Sequence, residues 1–446
     1  MKYQQKIDAF IFELIKRNPN ESVFHQAVYE VAENIIPFIA ENKKYQNHLI
    51  FERLTDPERV LIFKIIWEDD KGVVQVNRGY RVEMNSSLGP YKGGIRFHSS
   101  VGLDSLKFLA FEQVLKNSIS TLNFGGSKAG SDFSPFGKSD KEIMRFCYAF
   151  MSEIFRYLGS DTDICTDDIG IGTREVGYLI GQYKKLRKQF NGILIGHGQD
   201  WSQKTIKPEA TGFGLVYFAQ EMLLNKGLNI KGKRVAISGF GNIAWGAAKK
   251  ANDLGAKVIS ISGPDGFVYM PNGITDDKLD FILQLYKYDS VEPFAEKYNF
   301  DFYPNEKPWS IKADIALPCS IQNELLTEDA DMLIENEYLL LAEGTNMPCT
   351  KEAIKTIHHS GILYAPSKAS SAGSMIVSGI ESTCNAISDS LTESEIDLKL
   401  QEIIKLIHKN CLKYGELETG KINYQKGANI AAFVKIADAM LDQGLV

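Results

Sequence analysis

A glycine-rich turn, Gly239-Phe240-Gly241-Asn242-Ile243-Ala244, most strongly constrains what this chain can fold into. The residues before it, 234–238, predict a short β-strand, and the residues after it predict a helix that continues to Leu254. In that context Gly239 and Gly241 permit a tight turn and the close approach of a pyrophosphate to the start of the helix. The pattern therefore favours a Rossmann-type dinucleotide-binding domain over a plain strand-to-helix turn.

The length of the chain predicts two domains, because 446 residues are too many for one core. Strands expected after the glycine turn alternate with helices, which is typical of an α/β, doubly wound parallel sheet. These strands are expected at 257–262, 313–317, 338–342 and 362–364. We expect residues 1–200, with a C-terminal helix at about 421–446, to form an N-terminal α/β domain. Residues 201–420 should form the dinucleotide-binding domain.

The composition excludes several classes of protein. Hydrophobic residues make up 44% of the chain and charged residues 24%, as in soluble globular proteins. The net charge is −6 without any Lys/Arg-rich run, so we expect no nucleic-acid partner. No apolar run is long enough for a membrane span, and the N-terminus has no signal-peptide core, which predicts a cytoplasmic protein. The 6 cysteines are scattered, which favours reduced thiols over a metal site.

The segment 90–168 contains three lysines in unusual surroundings. Lys92 precedes Gly93, Lys128 lies within the glycine-rich residues 125–133, and Lys116 lies in a nearly apolar predicted helix, three residues after Gln113 and on the same face. A desolvated lysine can lower its pKa and act as an acid or a base. We expect the glycine-rich residues 125–133 to turn here and to let a ligand approach closely. The segment is predicted to bind carboxylates and to move protons; the alternative is ordinary surface charge.

Two acidic positions carry further predictions. Asp168, in the pair Asp167-Asp168, is expected to be functional, and the alternative is that the pair caps the helix that begins near Arg174. Asp265 follows the strand at 257–262, at about the position where a carboxylate accepts a hydrogen bond from the adenosine ribose. Such a carboxylate would repel a 2′-phosphate, which favours NAD over NADP as the cofactor. The alternative is that Pro264-Asp265-Gly266 is only a turn.

Several motifs together resemble those of the glutamate dehydrogenases, in the hexameric bacterial-type branch of the Glu/Leu/Phe/Val dehydrogenase family. The resemblance covers essentially the whole chain. The motifs that carry it are Pro90-Tyr91-Lys92-Gly93-Gly94-Ile95-Arg96-Phe97, residues 125–133, Asp168-Ile169-Gly170-Ile171-Gly172, Lys207-Pro208-Glu209-Ala210-Thr211-Gly212 and Ala342-Glu343-Gly344-Thr345-Asn346-Met347-Pro348.

The resemblance implies oxidative deamination of glutamate to 2-oxoglutarate and ammonium, and the reverse amination, with a nicotinamide cofactor. Lys92 and Ser378 would bind the side-chain carboxylate of glutamate, and Lys116 with Gln113 would bind the α-carboxylate. Two cationic contacts would thereby fix the length of the substrate. A homohexamer built by the N-terminal domain, and a place in amino-acid metabolism and nitrogen assimilation, are also implied.

The remaining roles follow from the same resemblance. Lys128 would be the catalytic lysine that activates water, and Asp168 would carry protons to and from the amino nitrogen. The predicted cofactor contacts, in addition to the glycine turn and Asp265, are Thr211, Asn242 and Asn346.

The chain departs from the family pattern at several positions near these residues. The usual G-G-G-K-G-G reads Gly125-Gly126-Ser127-Lys128-Ala129-Gly130, and a usual glycine that touches substrate is replaced by Asp167. An added carboxylate there would repel an anionic substrate or raise the pKa of Asp168. Residues 200–204 and 370–374 also differ. A dehydrogenase for another amino acid and a non-catalytic dinucleotide-binding paralogue therefore stay open as alternatives.

Overall fold

The computed structural model of the protein describes residues 3–120, 122–189, 194–195, 209–285, 289–383 and 391–446. Its contacts divide the chain into two compact units. The first unit comprises residues 1–206, 381–389 and 429–446, and the second comprises residues 207–380 and 390–428. The predicted boundary at 200, the divergent residues 200–204 and Cys384 lie outside the described residues.

The first unit is built on a mixed sheet with the strand order β1-β2-β4-β3-β5-β6. Strands β1, β2 and β4 pair antiparallel, whereas β4, β3, β5 and β6 pair parallel. The strands are β1 (Arg59–Glu68), β2 (Val74–Asn85), β3 (Tyr91–Phe97), β4 (Gly126–Ser131), β5 (Asp163–Asp167) and β6 (Leu194–Ile195). The β1–β2 hairpin, expected from the apolar run before Lys71-Gly72, is confirmed.

Helices pack against this sheet and against one another. They are α1 (Gln4–Arg17), α2 (Ser22–Glu41), α3 (Ile50–Leu54), α4 (Leu103–Ile119), α5 (Asp140–Ile154), α6 (Thr173–Arg187) and most of α16 (Tyr424–Gln443), with a short 3₁₀ helix at Lys43–Tyr45. Phe97, Phe133, Phe146 and Phe150 are all buried, and together they form the aromatic centre of one core cluster.

The expected turn at 125–133 is wrong, because Gly126–Ser131 forms the fully buried central strand β4. Glycine is a poor strand former, but here its small size is required. A Cβ atom built on Gly126 would lie 2.5 Å from the backbone nitrogen of Val114 in α4. A Cβ atom on Gly93 of the neighbouring strand would collide with the carbonyl of Ser127. The glycines therefore let a helix and two strands approach one another closely.

The C-terminal helix contributes to the core of the first unit. Phe433 in α16 lies 6.3 Å from Phe38, 5.6 Å from Tyr45 and 6.4 Å from Phe51, measured between ring centroids. Lys44 and the hydroxyl of Tyr45 both contact Asp438 of the same helix. The last residues of the chain are thus tied to its first helices.

The second unit contains a sheet with the order β10-β9-β8-β7-β11-β12-β13. Strands β8, β7, β11, β12 and β13 run parallel, as predicted, whereas β9 and β10 extend the sheet antiparallel at one edge and were not expected. The strands are β7 (Arg234–Ser238), β8 (Lys257–Gly263), β9 (Gly266–Tyr269), β10 (Asp301–Pro304), β11 (Ile315–Pro318), β12 (Leu340–Ala342) and β13 (Leu363–Ala365). The predicted strand at 234–238 is confirmed.

The helices of the second unit alternate with these strands. They are α7 (Ala210–Leu224), α8 (Asn242–Asp253), α9 (Asp276–Ile282), α10 (Glu292–Tyr298), α11 (Thr327–Glu335), α12 (Lys351–Ser360), α13 (Ser367–Ser370), α14 (Gly373–Thr383) and α15 (Glu393–Gly415), with a 3₁₀ helix at Pro308–Ser310. Among the described residues, none of the helices has the length and apolar character needed to cross a bilayer.

The packing of α4 on β4 gives a direct test. Gly126→Ala should lower the free energy of unfolding by about 1–3 kcal/mol, because the new methyl group would meet backbone atoms of Val114 and force the helix away. Gly177→Ala is the matched control, since no described atom lies within 4 Å of its added Cβ in helix α6. That control should raise stability by about 0.5–1 kcal/mol. Denaturant titration of Gly126→Ala with the wild-type midpoint would contradict this packing.

Candidate active site

Two of the predicted lysines are buried on adjacent strands of the first unit. Lys92 in β3 is 1% exposed and Lys128 in β4 is 7% exposed. Because successive residues of a strand face opposite sides, Lys92, Gly94 and Arg96 share one face of β3. Ile95 and Phe97 face the other way, into the apolar core. The lysines are therefore built into the centre of the sheet and are not surface charges.

The structure brings Lys128 and Asp168 into direct contact. The ammonium of Lys128 lies 2.6 Å from a carboxylate oxygen of Asp168. Arg96 donates to the same carboxylate with Nε at 2.9 Å and Nη2 at 3.4 Å. Asp168 follows the last residue of β5, so that three neighbouring strands supply the three charged groups. The two predicted catalytic residues thus form one ion-paired cluster with a guanidinium.

These contacts set the protonation of both groups. Burial lowers the pKa of Lys128, and the nearby Arg96 lowers it further, against the attraction of Asp168. Burial alone would raise the pKa of Asp168, but Lys128 and Arg96 more than offset this effect and hold that pKa well below its usual range. Asp168 is therefore a carboxylate near neutral pH, beside a lysine that releases its proton more readily than a solvated lysine does.

Gly94 makes room for this cluster. A Cβ atom at Gly94 would lie 2.8 Å from the ammonium nitrogen of Lys128 and 3.0 Å from the Cβ atom of Asp168. The glycines near the predicted lysines were expected to let a ligand approach. The structure shows that Gly94 lets the side chains of Lys128 and Asp168 approach one another.

The departure at Ser127 is accommodated on the opposite face of β4. Its hydroxyl accepts a hydrogen bond from Nη2 of Arg81 at 2.6 Å and donates to Asp163 at 3.3 Å. Nε of Arg81 donates to the other carboxylate oxygen of Asp163 at 2.8 Å. All three residues are buried, and the methyl group of Ala129 lies in the apolar core on the same face. These substitutions therefore complete a buried salt bridge and a core, and they do not add groups beside Lys128.

The acidic pair is divided between two environments. Asp167 is exposed at the end of β5, whereas Asp168 is half-buried against Lys128. The alternative that the pair caps the next helix is wrong, because the N-cap of α6 is Gly172. An effect of Asp167 on substrate binding stays a prediction.

Helix α4 carries the remaining substrate contacts predicted for the first unit. Gln113 and Lys116 are half-buried near its C-terminal end. The side-chain amide of Gln113 donates to Asn117 at 2.8 Å. Because both residues lie in α4 and are three positions apart, they share one face of the helix. Their contacts with a carboxylate stay predictions.

The second unit has the geometry expected of a dinucleotide site. Gly239 follows β7 with a φ of 86°, and a Cβ atom there would lie 2.9 Å from the carbonyl oxygen of Cys319. Gly241 is the N-cap of α8, and Asn242 is its exposed first residue. Strand β7 lies between β8 and β11, so the strand order reverses at this turn, where open α/β sheets bind their ligands. The residues present therefore fit a pyrophosphate at the start of α8.

The predicted ribose contact, Asp265, lies in the tight turn between β8 and β9. Its carboxylate accepts hydrogen bonds from the hydroxyl of Ser290 at 2.7 Å and from the backbone nitrogens of Val291 and Glu292 at 3.0 and 3.1 Å. The turn alternative is therefore correct for the backbone. A carboxylate has further acceptor capacity, so the ribose contact stays a prediction.

The other residues predicted in the second unit lie on three different elements. Thr211 is half-buried in the first turn of α7, and Asn346 is half-buried in the loop after β12. Ser378 is buried in α14. A Cβ atom on Gly212 would lie 2.6 Å from the backbone of Gly246, which shows that the start of α7 packs closely on α8.

Sequence reasoning missed Arg96 and Arg81 as members of these clusters. Arg96 stands in the same motif as Lys92, two residues after the paired glycines, and its position on the lysine-bearing face of β3 was a usable signal. Arg81 gave no such signal, because its partners Ser127 and Asp163 are distant in sequence. Cys147, Cys165, Cys319, Cys349 and Cys411 are free and buried. No group of potential metal ligands is found in the described part of the chain.

Two family models match the chain and together span most of it. Residues 57–185 match the dimerisation domain of the Glu/Leu/Phe/Val dehydrogenases, and residues 204–444 match the Glutamate/Leucine/Phenylalanine/Valine dehydrogenase domain. The chain therefore belongs to the Glu/Leu/Phe/Val dehydrogenase family, whose fold accounts for both units.

Individual relatives are similar over their full length. The chain is 52% identical to the NAD-specific glutamate dehydrogenase of Bacteroides fragilis, covering 99% of this chain and 100% of the relative. It is 48% identical to the NADP-specific glutamate dehydrogenase of Haemophilus influenzae, covering 98% of each. The crystal structure of Plasmodium falciparum glutamate dehydrogenase superposes with a TM-score of 0.95 at 41% identity, covering 99% of this chain and 95% of that one. Within the family, these similar proteins are glutamate dehydrogenases.

The buried Ser127 contacts predict a measurable loss of stability. Ser127→Ala should lower the free energy of unfolding by about 1–3 kcal/mol, because it removes a hydrogen-bond partner from the buried pair of Arg81 and Asp163. Ser134→Ala is the control and should change stability by less than about 0.5 kcal/mol, because Ser134 is a half-buried loop residue whose hydroxyl accepts from the exposed backbone nitrogen of Phe136 at 3.3 Å. Equal denaturation midpoints for the two variants would show that the Ser127 hydroxyl contributes nothing to the cluster.

Proposed function

We propose that this protein is an NAD(P)-dependent glutamate dehydrogenase. It converts glutamate and water to 2-oxoglutarate and ammonium with transfer of a hydride to the cofactor, and it catalyses the reverse amination. The observation that carries this proposal is the direct contact of buried Lys128 with Asp168, which are supplied by the strands on either side of β3, the strand that carries Lys92. A base with a lowered pKa beside a proton carrier is what this chemistry requires.

The binding of glutamate needs two cationic contacts, one for each carboxylate. Lys92 is proposed to bind the side-chain carboxylate, and Lys116 with Gln113 the α-carboxylate. The hydroxyl of Ser378 is proposed as a further donor to the side-chain carboxylate. An amino acid with an apolar side chain would leave Lys92 buried opposite an uncharged group, which disfavours such substrates.

Proton transfers are assigned to the ion-paired cluster. In its neutral form Lys128 accepts a proton from the attacking water, and as an ammonium it stabilises charge that develops on the carbonyl oxygen. Asp168 accepts a proton from the amino nitrogen of glutamate and returns it to the departing ammonia. The distance of 2.6 Å between the two side chains permits direct exchange of a proton. Arg96 holds Asp168 in position by donating to both of its carboxylate oxygens.

The cofactor is proposed to bind at the turn after β7, where Gly239, Gly241 and Asn242 receive its pyrophosphate, with Thr211 and Asn346 as further contacts. When bound, a nicotinamide cofactor would supply the acceptor for the hydride of the α-carbon of glutamate. Asp265 favours NAD through a hydrogen bond to the ribose, although similar proteins include both NAD-specific and NADP-specific enzymes.

A homohexamer is also proposed, in which residues 1–200 and the C-terminal helix form the oligomerisation domain. Support comes from the family resemblance and from the match of residues 57–185 to a dimerisation domain. A cytoplasmic role in nitrogen assimilation is proposed on the resemblance alone.

Initial rates at 340 nm test the function directly. With 2-oxoglutarate and ammonium, we expect oxidation of NADH, and a slower oxidation of NADPH if Asp265 contacts the ribose. A preference for NADPH would remove that role from Asp265 and leave the function in place. Folded protein that binds a dinucleotide but shows no rate with either cofactor would overturn the proposed function.

The assignment of that activity to this site needs a matched pair of variants. Lys128→Ala should reduce kcat by at least about 10³-fold, since it removes the base and the charge that stabilises the carbonyl oxygen, and it should leave dinucleotide affinity nearly unchanged. Lys138→Ala, at an exposed lysine, should keep the wild-type kcat.

The binding of glutamate should depend on pH through Lys92. Burial lowers the pKa of Lys92 to about 7, against the attraction of Glu381. Since a carboxylate binds the charged form, the affinity is greatest below this pKa and is lost as the pH rises above it. The KM for glutamate should rise about tenfold per pH unit above pH 7, with little change in kcat from this group.

A variant with a permanent charge provides the control for this titration. Lys92→Arg cannot lose its proton in this range, so its KM, although altered, should stay flat with pH. A wild-type KM for glutamate that is constant between about pH 6.5 and 8.5 would show that Lys92 does not titrate in the way its burial implies.

A further inference from the structure

Asn117 is a fully buried amide in α4 that the proposed reaction does not use. Its Nδ2 atom donates to the backbone carbonyl of Lys92 at 3.3 Å and to the backbone carbonyl of Gly125. Its Oδ1 atom accepts from the side chain of Gln113 at 2.8 Å. One side chain therefore joins the C-terminal part of α4 to strand β3 and to the segment that enters β4.

The segments joined by Asn117 are those that carry the proposed substrate contacts. Lys92 is in β3, Lys116 is the neighbour of Asn117 in α4, and Lys128 lies three residues after Gly125. The contact of Gly126 with Val114 holds the same helix against β4 one turn earlier. Close packing at one point and hydrogen bonds at the other leave α4 little freedom to slide along the sheet.

We infer that Asn117 is a positioning residue that fixes the separation of the two carboxylate-binding lysines, Lys92 and Lys116, and thereby selects dicarboxylates of the length of glutamate. The inference rests on the proposed function, because it concerns the substrate contacts of the same site. A buried asparagine must in any case satisfy its own polar atoms, so a purely structural role is the competing explanation.

Selectivity for length distinguishes the two explanations. Loss of the amide lets α4 shift relative to β3, and a displacement of about 1 Å between two binding groups can cost on the order of 10²-fold for the ligand that fitted best. A ligand that is shorter or longer by one methylene binds weakly to the wild type already, so its affinity falls less. A structural role alone would lower stability and weaken all ligands together.

The experiment measures the binding of succinate, glutarate and adipate to the full-length protein by calorimetry in the presence of NADH. The wild type should prefer glutarate, the dicarboxylate with the carbon chain of glutamate, by about tenfold or more over the other two. In Asn117→Ala this preference should fall to about threefold or less, with the largest loss of affinity for glutarate.

Asn18→Ala is the matched control. Asn18 is also buried in the first unit, donates to the carbonyl of Leu14 at 3.0 Å and accepts from Lys107 at 2.8 Å. Its replacement removes a satisfied amide of the same kind, away from the lysines of the site, and should leave the preference for glutarate unchanged. If Asn117→Ala does not fold, Asn117→Ser serves instead, since a hydroxyl retains a donor but is too short to reach both carbonyls.

The inference is overturned if the wild type binds the three dicarboxylates equally, or if the folded Asn117 variant keeps the wild-type preference. Because binding is measured without turnover, these results are separate from the assay of glutamate-dependent NADH formation. A preference that narrows only in the Asn117 variant supports the inference whether or not that assay succeeds.

Discussion

The close approach of β3, β4 and α4 is the constraint on which the first unit depends. Gly93 and Gly126 leave no space for a side chain between these elements, and Gly94 leaves room for Lys128 beside Asp168. Burying a charge without a partner is costly, so the cationic groups can be held inside the sheet only where an opposite charge reaches them. The small residues make that contact possible. Burial lowers the pKa of Lys128, and the contact with Asp168 opposes that decrease.

Strand β4 separates two clusters of charged residues, one on each face of the sheet. On one face Lys128 pairs with Asp168 and Arg96, and on the other Ser127 joins Arg81 to Asp163. The departures at Ser127 and Ala129 fall on the second face, and the one at Asp167 is exposed. The sequence can therefore change at these positions without placing a new group against Lys128. This separation explains how a divergent motif remains compatible with the proposed chemistry.

Much of the second unit could be predicted from sequence because its signals are local. A strand, two glycines and a helix within about twenty residues identify the turn at Gly239. The antiparallel edge strands β9 and β10 were missed, since short edge strands carry little periodic pattern. In the first unit β4 was mistaken for a turn, because a need for small residues between packed elements cannot be distinguished from turn chemistry in a single sequence. Arg81 was missed for a related reason, because Ser127 and Asp163 lie far from it along the chain.

The return of α16 to the first unit has a consequence for how the protein is made. Phe433 packs against Phe38, Tyr45 and Phe51, although it follows them by more than 380 residues in the sequence. During synthesis on the ribosome the aromatic rings of these N-terminal residues therefore remain without this contact until α16 has been translated. Ribosomal stalling or premature termination just before α16 would release chains with an exposed aromatic surface, the kind of species that chaperones retain and proteases remove.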